Sequence, residues 1–241
     1  MDPTSNLDIG AAELYEGYER WKGWNKPFIY SSEEAEYYTG EMRGFRLEKA
    51  EVFEIGFGSG VFLAWARAGG ARVAGTEINP TLLAAARDFG VEILPADFET
   101  VAAQYAERFD VIAAFDVFEH FSVGEIIVRL KAIETMLRPG GRVFLRFPNA
   151  QSPFGLASQN GDPTHKTGLS RSVFEQLLVT TTLEIVDYAP SYRIRGGSLP
   201  KRVVRLTRAL LRRAIAASLN FIYTQNIPWD PVVVLVLKNS K

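Results

Sequence analysis

Short, nearly continuous apolar runs alternate along this chain with longer stretches in which apolar residues recur every three or four positions. The runs fall at residues 52–55, 71–77, 91–94, 109–115, 142–145, 183–188 and 232–237. Each is too short for a buried helix, and the last is a β-branched run of the kind that fills a strand covered on both faces. Between them lie helical patterns. Residues 61–67 are apolar up to Arg67; Asn79-Pro80 opens a helix whose inner face is Leu82, Leu83, Ala86 and Phe89; Ser170 caps another over 171–178. Strands alternating with helices predict an α/β fold, a mostly parallel sheet with helices on both faces. The core is expected over 51–190 and 229–241. Residues 1–50 form a preceding segment, and 191–228 interrupt the chain before its last strand.

Composition narrows the function classes. An apolar fraction of 47% over 241 residues supports one buried core with appendages, and a net charge of −1 gives no overall pull toward nucleic acid. The chain has no cysteine, which removes disulfides, thiolate metal sites and every cysteine nucleophile, including the covalent route to carbon-methylated cytosine. No metal is expected. No apolar run reaches the ~18 residues of a membrane span, and the first residues lack the basic-then-apolar pattern of a signal peptide. A cytoplasmic protein is expected, with the inner face of the membrane as a possible peripheral station.

Chemistry concentrates where the first strand ends. Glu54-Ile55-Gly56-Phe57-Gly58-Ser59-Gly60 runs from strand to helix through three glycines. Glycines there let the backbone approach a ligand, and the following helix offers unpaired N–H groups at its first turn. A dinucleotide turn reads G-x-G-x-x-G, but here the third glycine comes one place early and Val61 holds the last dinucleotide position. Glu54, so close to the turn, would repel a pyrophosphate and could pair with an ammonium. The second strand then ends in Glu77, 17 residues past Gly60, where a carboxylate meets ribose hydroxyls in nucleotide-binding sheets.

The E-x-G-x-G-x-G turn resembles that of the class I S-adenosylmethionine-dependent methyltransferases. Ala96-Asp97-Phe98 after the third strand, Asp116-Val117-Phe118-Glu119-His120 after the fourth, and Leu137-Arg138-Pro139-Gly140-Gly141 before the fifth match the same family in order. The resemblance implies a Rossmann-like, seven-stranded sheet with an antiparallel last strand, and S-adenosyl-L-methionine as cofactor. It implies cofactor contacts from Glu54, Gly56, Phe57, Gly58, Gly60, Glu77 and Ile78. Asp97 would accept from the adenine amino group, Phe98 would pack on the ring, and Asp116, Phe118 and His120 would line the methionine end.

Two further segments bear on the acceptor. The loop from Pro148 contains Asp162-Pro163-Thr164-His165-Lys166 and hangs from the carboxyl end of the fifth strand. His165 is a candidate base for an acceptor hydroxyl, with Asp162 to orient it and Lys166 to hold an acidic group. A loop histidine bonded only to backbone is the plainer reading. The aromatic residues before the first strand, Tyr15, Tyr18, Trp21, Trp24 and Tyr30 among them, are expected to form a helical lid, with Trp24 and Tyr30 as acceptor wall.

From Ala189 to Trp229 there is no acid, but there are eight cations, six of them over 201–213. On a helix over about 200–223, Lys201, Arg205, Arg208 and Arg212 share one stripe, opposite Val203, Leu206, Leu210, Ala214, Ala217 and Phe221. Three readings stay open: an apolar face packed on the core, docking to an anionic membrane or lipid-linked substrate, and a dimer contact. The loop and the basic segment together resemble methyltransferases of bacterial surface-glycan assembly, which implies O-methylation of a sugar hydroxyl. A quinone-type small-molecule O-methyltransferase is the nearest alternative, and a non-catalytic cofactor-binding scaffold a further one. The Asn/Asp-Pro-Pro-aromatic tetrad of nucleic-acid amino methylation is missing after the fourth strand.

Overall fold

A computed structural model describes residues 23, 24 and 26–241. Tyr15, Tyr18 and Trp21 of the expected lid lie outside these residues. In chain order the elements are α1 (Ser32–Glu41), β1 (Glu51–Ile55), α2 (Val61–Ala68), β2 (Arg72–Thr76), α3 (Pro80–Phe89), β3 (Glu92–Ile93) and β4 (Phe109–Phe115). There follow α4 (Val123–Met136), β5 (Leu137–Pro148), α5 (Leu156–Asn160), α6 (Arg171–Leu177), β6 (Leu183–Pro190), α7 (Leu199–Tyr223) and β7 (Val232–Asn239).

The seven strands form one sheet in the order β3-β2-β1-β4-β5-β7-β6. β1 pairs in parallel with both β2 and β4, whereas β7 runs antiparallel to β5 and β6. The expected sheet is therefore found, with β7 as its reversed strand. Chain order reverses between β1 and β4, and that switch point places a cleft beyond their carboxyl ends.

The continuous apolar runs are explained by two core layers. Along β7, Val233, Leu235 and Leu237 enter the layer under α4 and α6, while Val234 and Val236 enter the layer under α2 and α3. β1 divides in the same way, Phe53 and Ile55 against Val52, and every residue of that strand is buried. Polar caps set the helix starts. Ser31 with Glu34 and Ser122 with Glu125 form capping boxes on α1 and α4, Asn79 caps α3 ahead of Pro80, and Ser170 caps α6.

Three elements depart from expectation. β3 is two residues rather than four, because Pro95 has no N–H to continue the edge and pairing stops once the Leu94 amide has bonded the Gly75 carbonyl, at 3.0 Å. The long loop after β5 is stitched down rather than hanging freely. Asn149 donates to the carbonyls of Pro228 and Asp230, and the Lys166 and Thr167 amides donate to the Glu119 carbonyl at 2.8 and 3.1 Å. The third departure is α7. The half-turn occupied by Val203, Leu206, Leu210, Leu211, Ile215 and Phe221 is exposed, and no residue of the 25-residue helix is buried. Packing of its apolar face on the core is thus ruled out. The half-buried positions are Arg205, Ala209, Ala216, Leu219 and Asn220, so the helix rests on its other side.

Candidate active site

The cleft beyond β1 and β4 is a cavity of about 1050 Å³. Its floor is the glycine turn. Gly56, Gly58 and Gly60 have φ of 63°, 52° and 70°, backbone that side chains rarely adopt. A Cβ on Gly56 would come within 2.9 Å of Val117, and one on Gly58 within 2.8 Å of the Trp24 indole. Glu77 stiffens the turn by accepting from the Gly58 amide at 2.8 Å, and its other oxygen accepts from Ile78 and Asn79 at 2.7 and 3.0 Å.

Glu54 lies on the cavity wall with one carboxylate oxygen buried and unpartnered. Burial, then the neighbouring charge of Glu77, pushes its carboxyl well above the usual range, with Arg146 acting the other way. A buried carboxyl short of a partner, beside a turn of three left-handed glycines, fits a ligand that brings an ammonium and a close-packed nucleoside. S-adenosylmethionine is such a ligand. Phe57, Ile78 and Asp97 also line the cavity, Ile78 and Asp97 from exposed positions.

Some expected contacts are placed elsewhere. Phe98 is fully buried and meets Phe53 edge to face, so its ring belongs to the core and cannot pack on an adenine. Phe118 is likewise core, against Phe121 and Phe174. Gly60 faces the Phe28 ring, and Tyr30 packs against the α2–α3 layer. Trp24 does line the cavity, with Tyr38, Phe115 and Phe121.

Arg146 was not singled out by its sequence position. It leaves β5 to form a forked pair with Asp116, and donates to the Tyr37 hydroxyl at 2.6 Å. Burial by itself would lower the Arg146 guanidinium, but Asp116 and Tyr37 hold it well above its ordinary value. Asp116, at φ 57°, is thereby turned toward β5. A lone basic residue in an otherwise apolar strand (Phe144-Leu145-Arg146-Phe147) is the signal that would have found it.

The loop brings its Asp-x-Thr-His sequence against the turn after β4. The Thr164 hydroxyl donates to Asp162 at 2.5 Å and lies 2.8 Å from His120 Nδ1. With its one proton on Asp162, the hydroxyl accepts from His120, so His120 carries its proton on Nδ1 and presents Nε2 as acceptor. His165 Nδ1 lies 2.9 Å from the Gln159 carbonyl and must donate to it, which fixes the same tautomer. His120 lines the cavity; His165 stands behind it, with Lys166 extending outward toward Glu125 at 3.9 Å. Asp162 is held below the usual carboxylate range: burial would raise it, but the bonds from Thr164 prevail.

Below both rings lies Glu119, fully buried, with neither side-chain oxygen hydrogen-bonded. Burial, then the charge of Asp116, pushes it up to about 8. One ligand atom each from Glu119, His120 and His165 lie within 4.8 Å of one another. Two imidazole nitrogens and a carboxylate oxygen at that spacing form a set that could hold a divalent cation, and the Nδ1 bonds are the outer support such ligands need.

The Methyltransferase domain family matches residues 35–184. The ubiquinone biosynthesis O-methyltransferase of Aeromonas salmonicida is 33% identical over 156 residues, covering 60% of this chain and 64% of that protein. The protein of the same name from Stutzerimonas stutzeri is 32% identical over 100 residues, 39% of this chain and 42% of its own. The matches thus span less than two thirds of the first relative and under half of the second. Among solved structures, a SAM-dependent methyltransferase from Archaeoglobus fulgidus superposes with a TM-score of 0.60 at 17% identity, over 94% of this chain and 99% of its own. One from Mesorhizobium loti gives 0.59 at 14%, over 85% and 97%. These two share the fold. With the family match over more than half of its length, the chain belongs to the methyltransferase domain family.

Proposed function

We propose that the chain O-methylates a hydroxyl on a lipophilic, quinone-like small molecule. The observation that carries this reading is the cavity's make-up. Trp24, Tyr38, Phe115 and Phe121 give it an aromatic wall, and the polar cluster around His120 is set into one side. At about 1050 Å³ it stands at the top of the usual ~300–1,000 Å³ range for ligand sites, room for cofactor and acceptor together. The names of the curated relatives point the same way, which favours this acceptor over the surface glycan.

The cofactor supplies a methyl group on a sulfonium, reactive toward an aligned oxygen. The chain's own task is alignment and proton removal. The glycine turn and Glu77 would hold the nucleoside end, and Glu54 would pair with the ammonium. His120 Nε2 takes the acceptor proton, the ring held by Thr164 and Asp162; this role passes to His120 from His165, which stands behind it. Proton removal of this kind contributes on the order of 10²–10⁴-fold. A second reading is favoured by Glu119: with His120 and His165 it would hold a divalent cation, which would supply Lewis-acid help in removing the acceptor proton.

The test is methyl-labelled cofactor offered with quinol-type lipids, free nucleotide sugars and lipid-linked glycan. Label in the lipid fraction supports the proposal, and label in a glycan fraction overturns it. Exhaustive chelation separates the two readings of the cluster. Undiminished turnover keeps His120 as base; loss restored by added Mg²⁺, Mn²⁺ or Zn²⁺ gives the cluster to a cation.

A further inference from the structure

We propose that α7 is a docking element for an anionic lipid surface, lying in the plane of the headgroups with its apolar half immersed. This goes beyond the acceptor question and holds whichever molecule is methylated.

At 100° per residue the helix divides in two. One continuous half carries Leu199, Val203, Leu206, Leu210, Ala217 and Phe221 together with Val204, Leu211, Ile215 and Ile222. Leu206, Leu210 and Phe221 are 62%, 56% and 85% exposed. The cations sit along both borders of this half, Lys201, Arg208 and Arg212 on one side and Arg202 and Arg213 on the other. Such an arrangement, apolar outward with a cationic rim, is that of an interfacial helix. A 25-residue helix is ~37 Å long at ~1.5 Å per residue. It is also too charged to cross: among the described residues no helix is long and apolar enough to span a membrane.

Charge selects the occupant. There is no acidic residue from 189 to 229, so a second copy apposed through this face would bring arginine rim against arginine rim. A nucleic acid would meet the cations and leave the leucines in water. A bilayer with anionic headgroups satisfies both halves, attracting the Lys and Arg side chains near its surface and taking up the apolar ones. Arg202, Arg208, Arg212 and Arg213 form no ion pair with another described residue, whereas Lys201 and Arg205 reach Glu33 at 3.5 and 3.0 Å.

Those pairs root the helix. Glu36 accepts from the amides of Arg195 and Gly196 at 2.5 and 2.9 Å, and Glu41, fully buried, accepts from Ser191 Oγ at 2.6 Å and the Tyr192 amide at 2.5 Å. The stretch leading into α7 is thereby clamped to α1, whose Tyr38 lines the cavity. The docking element and the cavity wall are mechanically one piece.

The experiment is co-sedimentation of the full chain with vesicles of phosphatidylcholine alone or of phosphatidylcholine with phosphatidylglycerol. Expected is binding at least ~10-fold stronger to the anionic vesicles, weakened by salt. Leu210→Asp with Phe221→Asp, and separately Arg208→Glu with Arg212→Glu, should return it to the neutral-lipid level. Unchanged S-adenosylmethionine affinity would show that each variant is folded. Equal binding to both vesicle types, or variants that bind as the wild type does, overturns the proposal. So does a dimer in sedimentation velocity that Phe221→Asp dissociates.

Discussion

His120 and His165 meet edge to face, ring centroids 4.6 Å apart and planes at 73°, although 45 positions separate them in the chain. The contact joins the turn after β4 to the loop after β5, and it stacks the cavity-lining imidazole on a buried one. Each ring is fixed at Nδ1 by a separate oxygen, so the pair is prepared from two directions.

His120→Ala should lower kcat by ~10²–10⁴-fold and leave the S-adenosylmethionine Kd within about twofold. Under the same assay His165→Ala should cost less, because that ring reaches the acceptor only through its neighbours. Single-turnover kinetics with calorimetric titration of the cofactor would separate the two effects. A larger loss at His165 than at His120 would reverse their assigned roles.

Glu119 gives stability a defined pH dependence. Its carboxyl is raised from the usual 4.5 to about 8 in the folded chain. Below pH ~4.5 both states hold the proton; as pH rises the unfolded chain releases it first, so stability falls until the folded group ionises near 8. The loss is of the order of a few kcal/mol. Glu119→Gln should make urea midpoints fall less steeply between pH 5.5 and 8, while the slope that Glu54 carries in the same direction remains. A slope unaltered by the substitution would show that Glu119 is ionised throughout.

Gly58→Ala should weaken cofactor binding by at least ~10-fold, since the added carbon meets Trp24 at 2.8 Å and the backbone sits at φ 52°. Combining it with Trp24→Ala should recover part of the loss, because the double variant keeps only the backbone strain. Calorimetry on the three variants reads this coupling, and strict additivity would mean that the indole does not hold the turn.

Glu41→Ala should destabilise the fold by about 2–4 kcal/mol. It removes a buried acceptor shared by the Tyr37 hydroxyl, the Ser191 hydroxyl and the Tyr192 amide, all of which donate to a carboxylate with no exposed surface. Denaturant unfolding would measure it. A change under about 0.5 kcal/mol would mean that α1 is not tied to the end of β6.

The sheet and the cofactor turn were legible because their physics is local. The 52–60 strand and glycines, and the Asn79-Pro80 start of α3, each state their own conformation. The antiparallel β7 came through the family resemblance rather than from its residues. What stayed hidden depends on distant pairing. Phe98 and Phe118 are adjacent to pocket residues yet turn inward, a matter of which face of a tight turn the core covers. Arg146 and Glu119 acquire their roles only when β5 and the loop are laid beside the turn after β4. Periodicity showed that α7 is two-faced, but which face meets the body was decided by α1, through Glu33 and Glu36.

The central claim is the acceptor, and one measurement tests it most directly. The purified chain would be given methyl-labelled S-adenosylmethionine with a prenylated catechol and, separately, with a mixture of nucleotide sugars. The account predicts O-methyl ether on the catechol, at a kcat/KM at least ~10³-fold above any sugar. Methylation of a sugar hydroxyl with the catechol untouched would contradict it.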